Sequence, residues 1–176
     1  VWLPPASRSM AEELLDPRHA LESAPEGSKL LAKFSTLEKW LREKTKARGR
    51  HKRANQLVEV KQELIGFVAM LAHMTQVDGA LVLSDRLSPI SFGSMLYAEP
   101  WRGNIISWSE EQFFPSVSLD PHKLGARHSS AVNFVGQCPG AVAFVISQDG
   151  PVAGLTRKDE DTVYWWPDCL SRLWDA

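Results

Sequence analysis

The chain has little of what would assign it to a specialised class at once. It holds only two cysteines, Cys138 and Cys169, too few for a disulfide-built fold. They lack CxxC and metal-ligand spacing, which excludes a zinc module built on them and leaves buried, reduced thiols. Charge of one sign is also missing. The formal net charge is -1, so no global field draws the chain to nucleic acid or to a membrane surface. No stretch approaches the ~18 apolar residues that would span a bilayer. The opening Val1-Trp2-Leu3-Pro4-Pro5 has no charged n-region followed by an apolar run, so it is no secretory signal. Internal repeats and low-complexity segments are absent. These absences lead to the expectation of a cytoplasmic globular domain. Because the first residue is Val1 rather than Met, the chain is read as part of a longer protein or as one whose start lies upstream.

What is present fits one domain with a core of its own. Seven Trp and seven Phe supply large core fillers. Residues 1–28 mix Pro, Ser and Glu around a short helical piece, Ser9 to Leu15, with the capping-box spacing Ser9/Glu12 and a stop at Pro17; they read as a loosely attached arm. Ser28 to about Thr45 is a helix with Leu30, Leu31, Phe34, Leu37 and Leu41 on one face. The run Arg42 to Arg53 is strongly basic and is broken by Gly49. It reads either as a nucleic-acid or phosphate contact, or as positive charge at a helix C-terminus followed by a solvated loop. Ala54 to Gln76 is the longest helix, with the stripe Leu57, Val60, Leu64, Phe67, Val68, Leu71 and Met74.

From Asp78 the period becomes that of strands. Gly79–Ser84 and Ser88–Leu96 are strands, the second made irregular by Pro89 and Gly93. Residues 97–120 form a long loop with one or two short strands. Leu124 to Gln137 is a helix burying Ala131, Phe134 and Val135. Ala141–Ser147 has the apolar pattern of a central strand covered on both faces. Asp149-Gly150 signals a hairpin, Val152–Thr156 and Thr162–Trp166 are further strands, and a short helix carrying Leu170, Leu173 and Trp174 ends the chain. The fold class is therefore α/β (α+β): a single mixed central sheet flanked by helices.

Three segments combine into a candidate phosphate and metal site. Asp78, at the mouth of a strand, offers the oxygen ligand that Mg²⁺ or Mn²⁺ prefers, and the small Gly79 and Ala80 let a ligand approach the backbone. Gly125 to Ser130 enters a helix whose free N–H groups and positive end suit phosphate. Within it Gly125 permits close approach, Arg127 can fork onto phosphate oxygens, and His128 and Ser130 add donors. Ser147-Gln148 ends the apolar strand with a hydroxyl. Each piece alone is weak; the order and combination carry the reading.

The phrases Val77-Asp78-Gly79-Ala80-Leu81-Val82-Leu83, Ser91-Phe92-Gly93, Gly125-Ala126-Arg127-His128 and Ile146-Ser147-Gln148-Asp149-Gly150-Pro151-Val152 resemble the diadenylate cyclase (DAC) domain over about residues 54–166. They are most similar to the DNA-integrity-scanning type and to DAC-related sensor domains of bacteria. The resemblance implies residues 1–53 as a helical arm or linker and 54–176 as a DAC-like nucleotide-binding domain. It implies Mg²⁺ or Mn²⁺ as cofactor and ATP or cyclic di-AMP as ligand, with no membrane and no nucleic-acid partner. Family enzymes make cyclic di-AMP from two ATP between face-to-face domains, so a homodimer is implied as well. Asp78 would anchor metal and help activate the 3′-hydroxyl. Arg127, His128 and Ser130 would hold the triphosphate, with Gly79, Ala80, Leu96, Gly125, Ser129 and Ser147 around the nucleotide.

Two residues depart from the family pattern. Ser129 stands where the usual Arg-His-Arg has its second Arg, and Ala126 where a Thr is common. The primary reading is thus a nucleotide sensor or degenerate cyclase within a larger bacterial protein. The alternatives are an active diadenylate cyclase, in which a nearby base such as Lys123 stands in for the missing Arg, and a non-enzymatic interaction module using Arg42–Arg53.

Overall fold

The computed structural model describes residues 1–44, 49–108, 117–120, 123–146 and 150–170, apart from the side chains of Val117 and Ser118. Ten strands form one mixed sheet. They are β1 (Trp2–Leu3), β2 (Leu15–Asp16), β3 (His19–Ala20), β4 (Ala80–Ser84), β5 (Pro89–Leu96), β6 (Asn104–Ser107), β7 (Val117–Ser118), β8 (Val142–Ile146), β9 (Val152–Arg157) and β10 (Thr162–Trp166). The spatial order is β2-β5-β4-β1-β8-β9-β10-β6-β7, and β3 also pairs with β5. The described residues also form four α-helices, α1 (Arg8–Leu14), α2 (Gly27–Glu43), α3 (Arg50–Met74) and α4 (Ala126–Gln137), and a 3-10 turn at Pro5–Ser7. This is the expected mixed α/β architecture.

The expectation of a loosely attached arm over residues 1–28 is corrected. β1 lies at the centre of the sheet, parallel to β4 and antiparallel to β8, with Trp2 opposite both Leu83 and Val142. Its ladder includes Val1 N–H to the Leu81 carbonyl at 2.7 Å and Leu83 N–H to the Val1 carbonyl at 2.7 Å. Leu3 and Ala11 are buried in the main core. β2 and β3 then line the edge of β5. A two-residue strand has no periodicity to read, yet its backbone groups bridge two sheet halves that would otherwise each leave an open edge.

The capping box fails too. α1 starts at Arg8 after Ser7, and Ser7 donates its hydroxyl to the Pro139 carbonyl instead. Glu12 pairs with Arg8 in solvent.

The basic run is partly helical, because α3 begins at Arg50, four residues before the expected Ala54. Gly49, at φ +81°, supplies the left-handed turn that a side chain would strain. Two of the run's arginines, Arg50 and Arg53, serve the joint between α2 and α3, and Arg42 pairs within α2. The Arg50 guanidinium donates to the Leu41 and Lys44 carbonyls, satisfying the orphan end of α2. Arg53 stacks 4.3 Å over the Trp40 ring, and Arg42 pairs with Glu38 at 2.8 Å. Lys46 and Arg48 lie outside the described residues.

α4 covers one sheet face. Ala131, Val132, Phe134 and Val135 pack with Ala143 and Val145 of β8, Ala153 and Leu155 of β9, and Val163 and Trp165 of β10. The strand expected over 141–147 is therefore covered on one face rather than two. Alternation turns Phe144 and Ile146 to the other face, where both are exposed. β8 and β9 pair antiparallel as the hairpin signal required. Its turn residues 147–149 and the final segment with Leu173 and Trp174 lie outside the described residues.

Candidate functional site

Strand direction decides which residues can meet. β4 begins at Ala80, where antiparallel β5 is approaching its end at Leu96. β8 is antiparallel to β1, which is parallel to β4, so β8 finishes at Ile146 on the edge where β4 starts. α4 feeds β8 through the short link Cys138–Ala141. It therefore runs back along the sheet, with its N-terminal turn toward that same edge. Asp78, Gly79, Leu96, Gly125–Ser130 and the end of β8 thus gather at one end of the sheet. Ser147 itself lies outside the described residues. Asp78 and α4 are not immediate neighbours in strand order, since β1 and β8 stand between β4 and the β9–β10 region on which α4 rests. α4 also packs against β5, the strand ending in Leu96.

Asp78 is exposed and makes no hydrogen bond or ion pair among the described residues, so its carboxylate oxygens are available. Gly79 has a different role from the one expected. Its φ is +117°, and a Cβ there would lie 2.5 Å from the Gly93 carbonyl carbon. Two glycines let β4 and β5 touch backbone to backbone. Beside them Ser91 and Ser94, both buried, bond hydroxyl to hydroxyl at 2.7 Å, and His19 stacks on Phe92 at 4.6 Å. Ala80 pairs with Ser94 in this ladder.

The start of α4 is open. Gly125 is the N-cap residue at φ -63°, ψ 157°, and no side chain caps the helix. A Cβ at Gly125 would meet nothing within 4 Å. No acid lies in the first turn, and Arg127 is exposed without a partner among the described residues. Arginine beside the positive end of a helix is disfavoured by roughly 0.3–1 kcal/mol. An anion held between the free N–H groups and the guanidinium reverses that sign.

His128 is half-buried. Its ring stacks on Trp165, with centroids 4.8 Å apart and planes at 15°. Burial lowers its pKa below the ordinary 6.5, which favours the neutral imidazole. Ser129 is also half-buried, and its hydroxyl donates to the Leu124 carbonyl at 3.2 Å. Ser129 is thus turned into the fold. Ser130 is half-buried in the same turn.

Among the described residues no group of three or more His, Cys, Asp or Glu is arranged to hold a metal. A divalent ion here would take Asp78 together with phosphate oxygens and water, a common way for Mg²⁺ to bind. What sequence reasoning missed is the Trp165 platform under His128. The only signal was the apolar run of β10, which does not say which ring it would meet. No helix of the described residues is long and apolar enough to cross a membrane.

No family model matches this sequence, and no curated protein or solved structure matches it either.

Proposed function

We propose that the chain is a DAC-like adenine-nucleotide-binding domain, acting as a nucleotide sensor or degenerate cyclase in a larger bacterial protein. The observation that carries the reading is Arg127, unpaired among the described residues, in the first turn of a helix with neither a side-chain cap nor an acid. A cation in that place is unfavourable unless an anion joins it. Asp78 and Leu96, gathered at the same sheet end, support a ligand with phosphates at α4 and the rest of its length toward β4 and β5. ATP or cyclic di-AMP fits that division.

In the DAC reaction a 3′-hydroxyl gives up its proton and attacks the α-phosphate of a second ATP, and the bond to the β-phosphate breaks to release pyrophosphate. A divalent metal supplies charge neutralisation there. Asp78 would hold the metal, and the α4 amides with Arg127 would position phosphate. His128, neutral and stacked, orients the turn through Trp165 and brings no fixed charge. Ser129 adds none either. A clamp with one arginine binds phosphate, but it lacks a second charge to stabilise the transition state. That deficit favours binding over turnover.

The test is ATP binding in the presence of Mn²⁺, measured by calorimetry on the wild type and two variants. Arg127→Ala removes a charge-assisted contact of about 1.5–3 kcal/mol, roughly 10- to 100-fold in affinity. Asp78→Asn abolishes the metal dependence. Equal binding by all three proteins, or none by the wild type, sinks the proposal.

A further inference from the structure

α2 starts beside the β4–β5 turn, where Ser28 N–H donates to the Arg86 carbonyl at 3.1 Å. A Cβ at Gly27 would lie 2.5 Å from the Phe67 ring and 3.2 Å from Leu87. From there α2 leads away and α3 returns, so the two helices pack chiefly on each other. Lys33–Glu63 and Trp40–Arg53 mark the pairing along their length. α3 spans 25 residues, about 37 Å, and buries only Val60 and Phe67.

Its outer face is also apolar. Val58 is 59% exposed, Ile65 52% and Val68 60%. Val58, Ile65 and Ala72 recur every seven residues, with Ala54, Lys61 and Val68 between them. That 3.5-residue spacing is the seam of a helix that packs on another helix. A helix apolar on two faces needs two partners, and among the described residues this one packs on α2, with a smaller contact to β5.

We infer that the outer face of α3 is the interface with a second copy of this chain, packed antiparallel about a two-fold axis near Glu63. The argument for a second copy is self-complementarity. With α3 antiparallel to itself in that register, Val58 meets Val68 of the partner subunit. Ile65 meets the aliphatic stem of Lys61 of the partner subunit, whose ammonium reaches solvent. Ala54 meets Ala72 of the partner subunit, and the small pairs at both ends let the backbones close in. The basic first turn, Arg50 to Arg53, lies against the negative end of the partner's helix. Two such faces bury on the order of 1,000 Å² in total, the low end for a specific interface, and the near-zero net charge sets up no repulsion between copies. The dimer is independent of nucleotide and of the site at the sheet edge.

Sedimentation equilibrium from 1 to 100 µM total protein tests it. The wild type forms a reversible dimer. Ile65→Glu raises the dissociation constant on the order of 100-fold without changing the far-ultraviolet circular dichroism, since Ile65 is exposed in the monomer. Lys61→Leu, which removes the one polar seam residue, tightens the dimer. A wild type monomeric at 100 µM, or a dimer indifferent to Ile65→Glu, overturns the inference. Mild oxidation of mixed Val58→Cys and Val68→Cys proteins checks the register: they cross-link to each other. Cross-linking within either variant alone overturns the antiparallel packing.

Discussion

Gly79→Ala separates two roles for one glycine. If Gly79 is small only to admit a ligand, alanine weakens binding and leaves the fold alone. The structure requires the opposite. At φ +117° an L side chain is strained, and its Cβ would sit 2.5 Å from the Gly93 carbonyl carbon and 2.7 Å from that carbonyl oxygen. Both are backbone atoms, so neither can rotate away. The dihedral strain is on the order of 1–3 kcal/mol, and spreading β4 from β5 brings the total to about 2–4 kcal/mol. For a chain of this length that lowers the melting temperature by about 5–15 °C. Gly66→Ala is the control: it lies inside α3 with nothing within 4 Å of its Cβ. It gains about 0.5–1 kcal/mol in helix propensity and raises the melting temperature by about 2 °C. Scanning calorimetry of the two variants decides the matter. A Gly79→Ala melting temperature within 2 °C of the wild type refutes the close-approach argument.

Other outcomes follow from the same geometry. Burial holds the folded His128 pKa below 6.5, so its neutral form stabilises the fold above pH 6.5. That contribution is lost as pH falls through 6.5 toward the lower folded value. His128→Phe keeps a ring on Trp165 without titrating, and the melting-temperature gap between wild type and variant should move against the wild type from pH 7.5 to 5.5. Cys138 is pushed up to about 11 by burial, which leaves about one thiolate in a thousand at pH 8. Native protein should release almost no chromophore from a disulfide reagent at that site until denatured. Ser129→Arg adds a second fixed charge to the α4 turn. Because a long side chain can carry its head group outward, ATP affinity should rise about 10-fold with the fold kept, as calorimetry can show.

Much of the fold was legible because it follows a period. The apolar steps of α2 and α3, the inward Ala131, Phe134 and Val135 of α4, and the short apolar runs of β4 and β10 all follow spacings of 3.6 or 2 residues, although Leu31 and Val68, read as members of the helix stripes, are exposed. What escaped has no period. β1 is two residues long, and its place between β4 and β8 rests on backbone bonds rather than side-chain pattern. The exposed side of β8 escaped because an all-apolar run does not say which face lacks a cover. Near the candidate site the sequence showed a helix opening after Gly125 and a strand following Asp78. It assigned Gly79 to a ligand when its neighbour is Gly93. It could not foresee that Ser129 turns its hydroxyl onto Leu124, or that His128 rests on Trp165, since both depend on a strand about forty residues away or on rotamer choice.

The most direct test of the account is an amide-proton and nitrogen correlation spectrum of the labelled chain, titrated with ATP and Mg²⁺. The account predicts saturable shifts at Ala126, Arg127 and His128 in the first turn of α4, with Gly79 beside Asp78 moving at the same concentrations. Shifts confined to Arg50–Arg53, or no shifts at all, would contradict it.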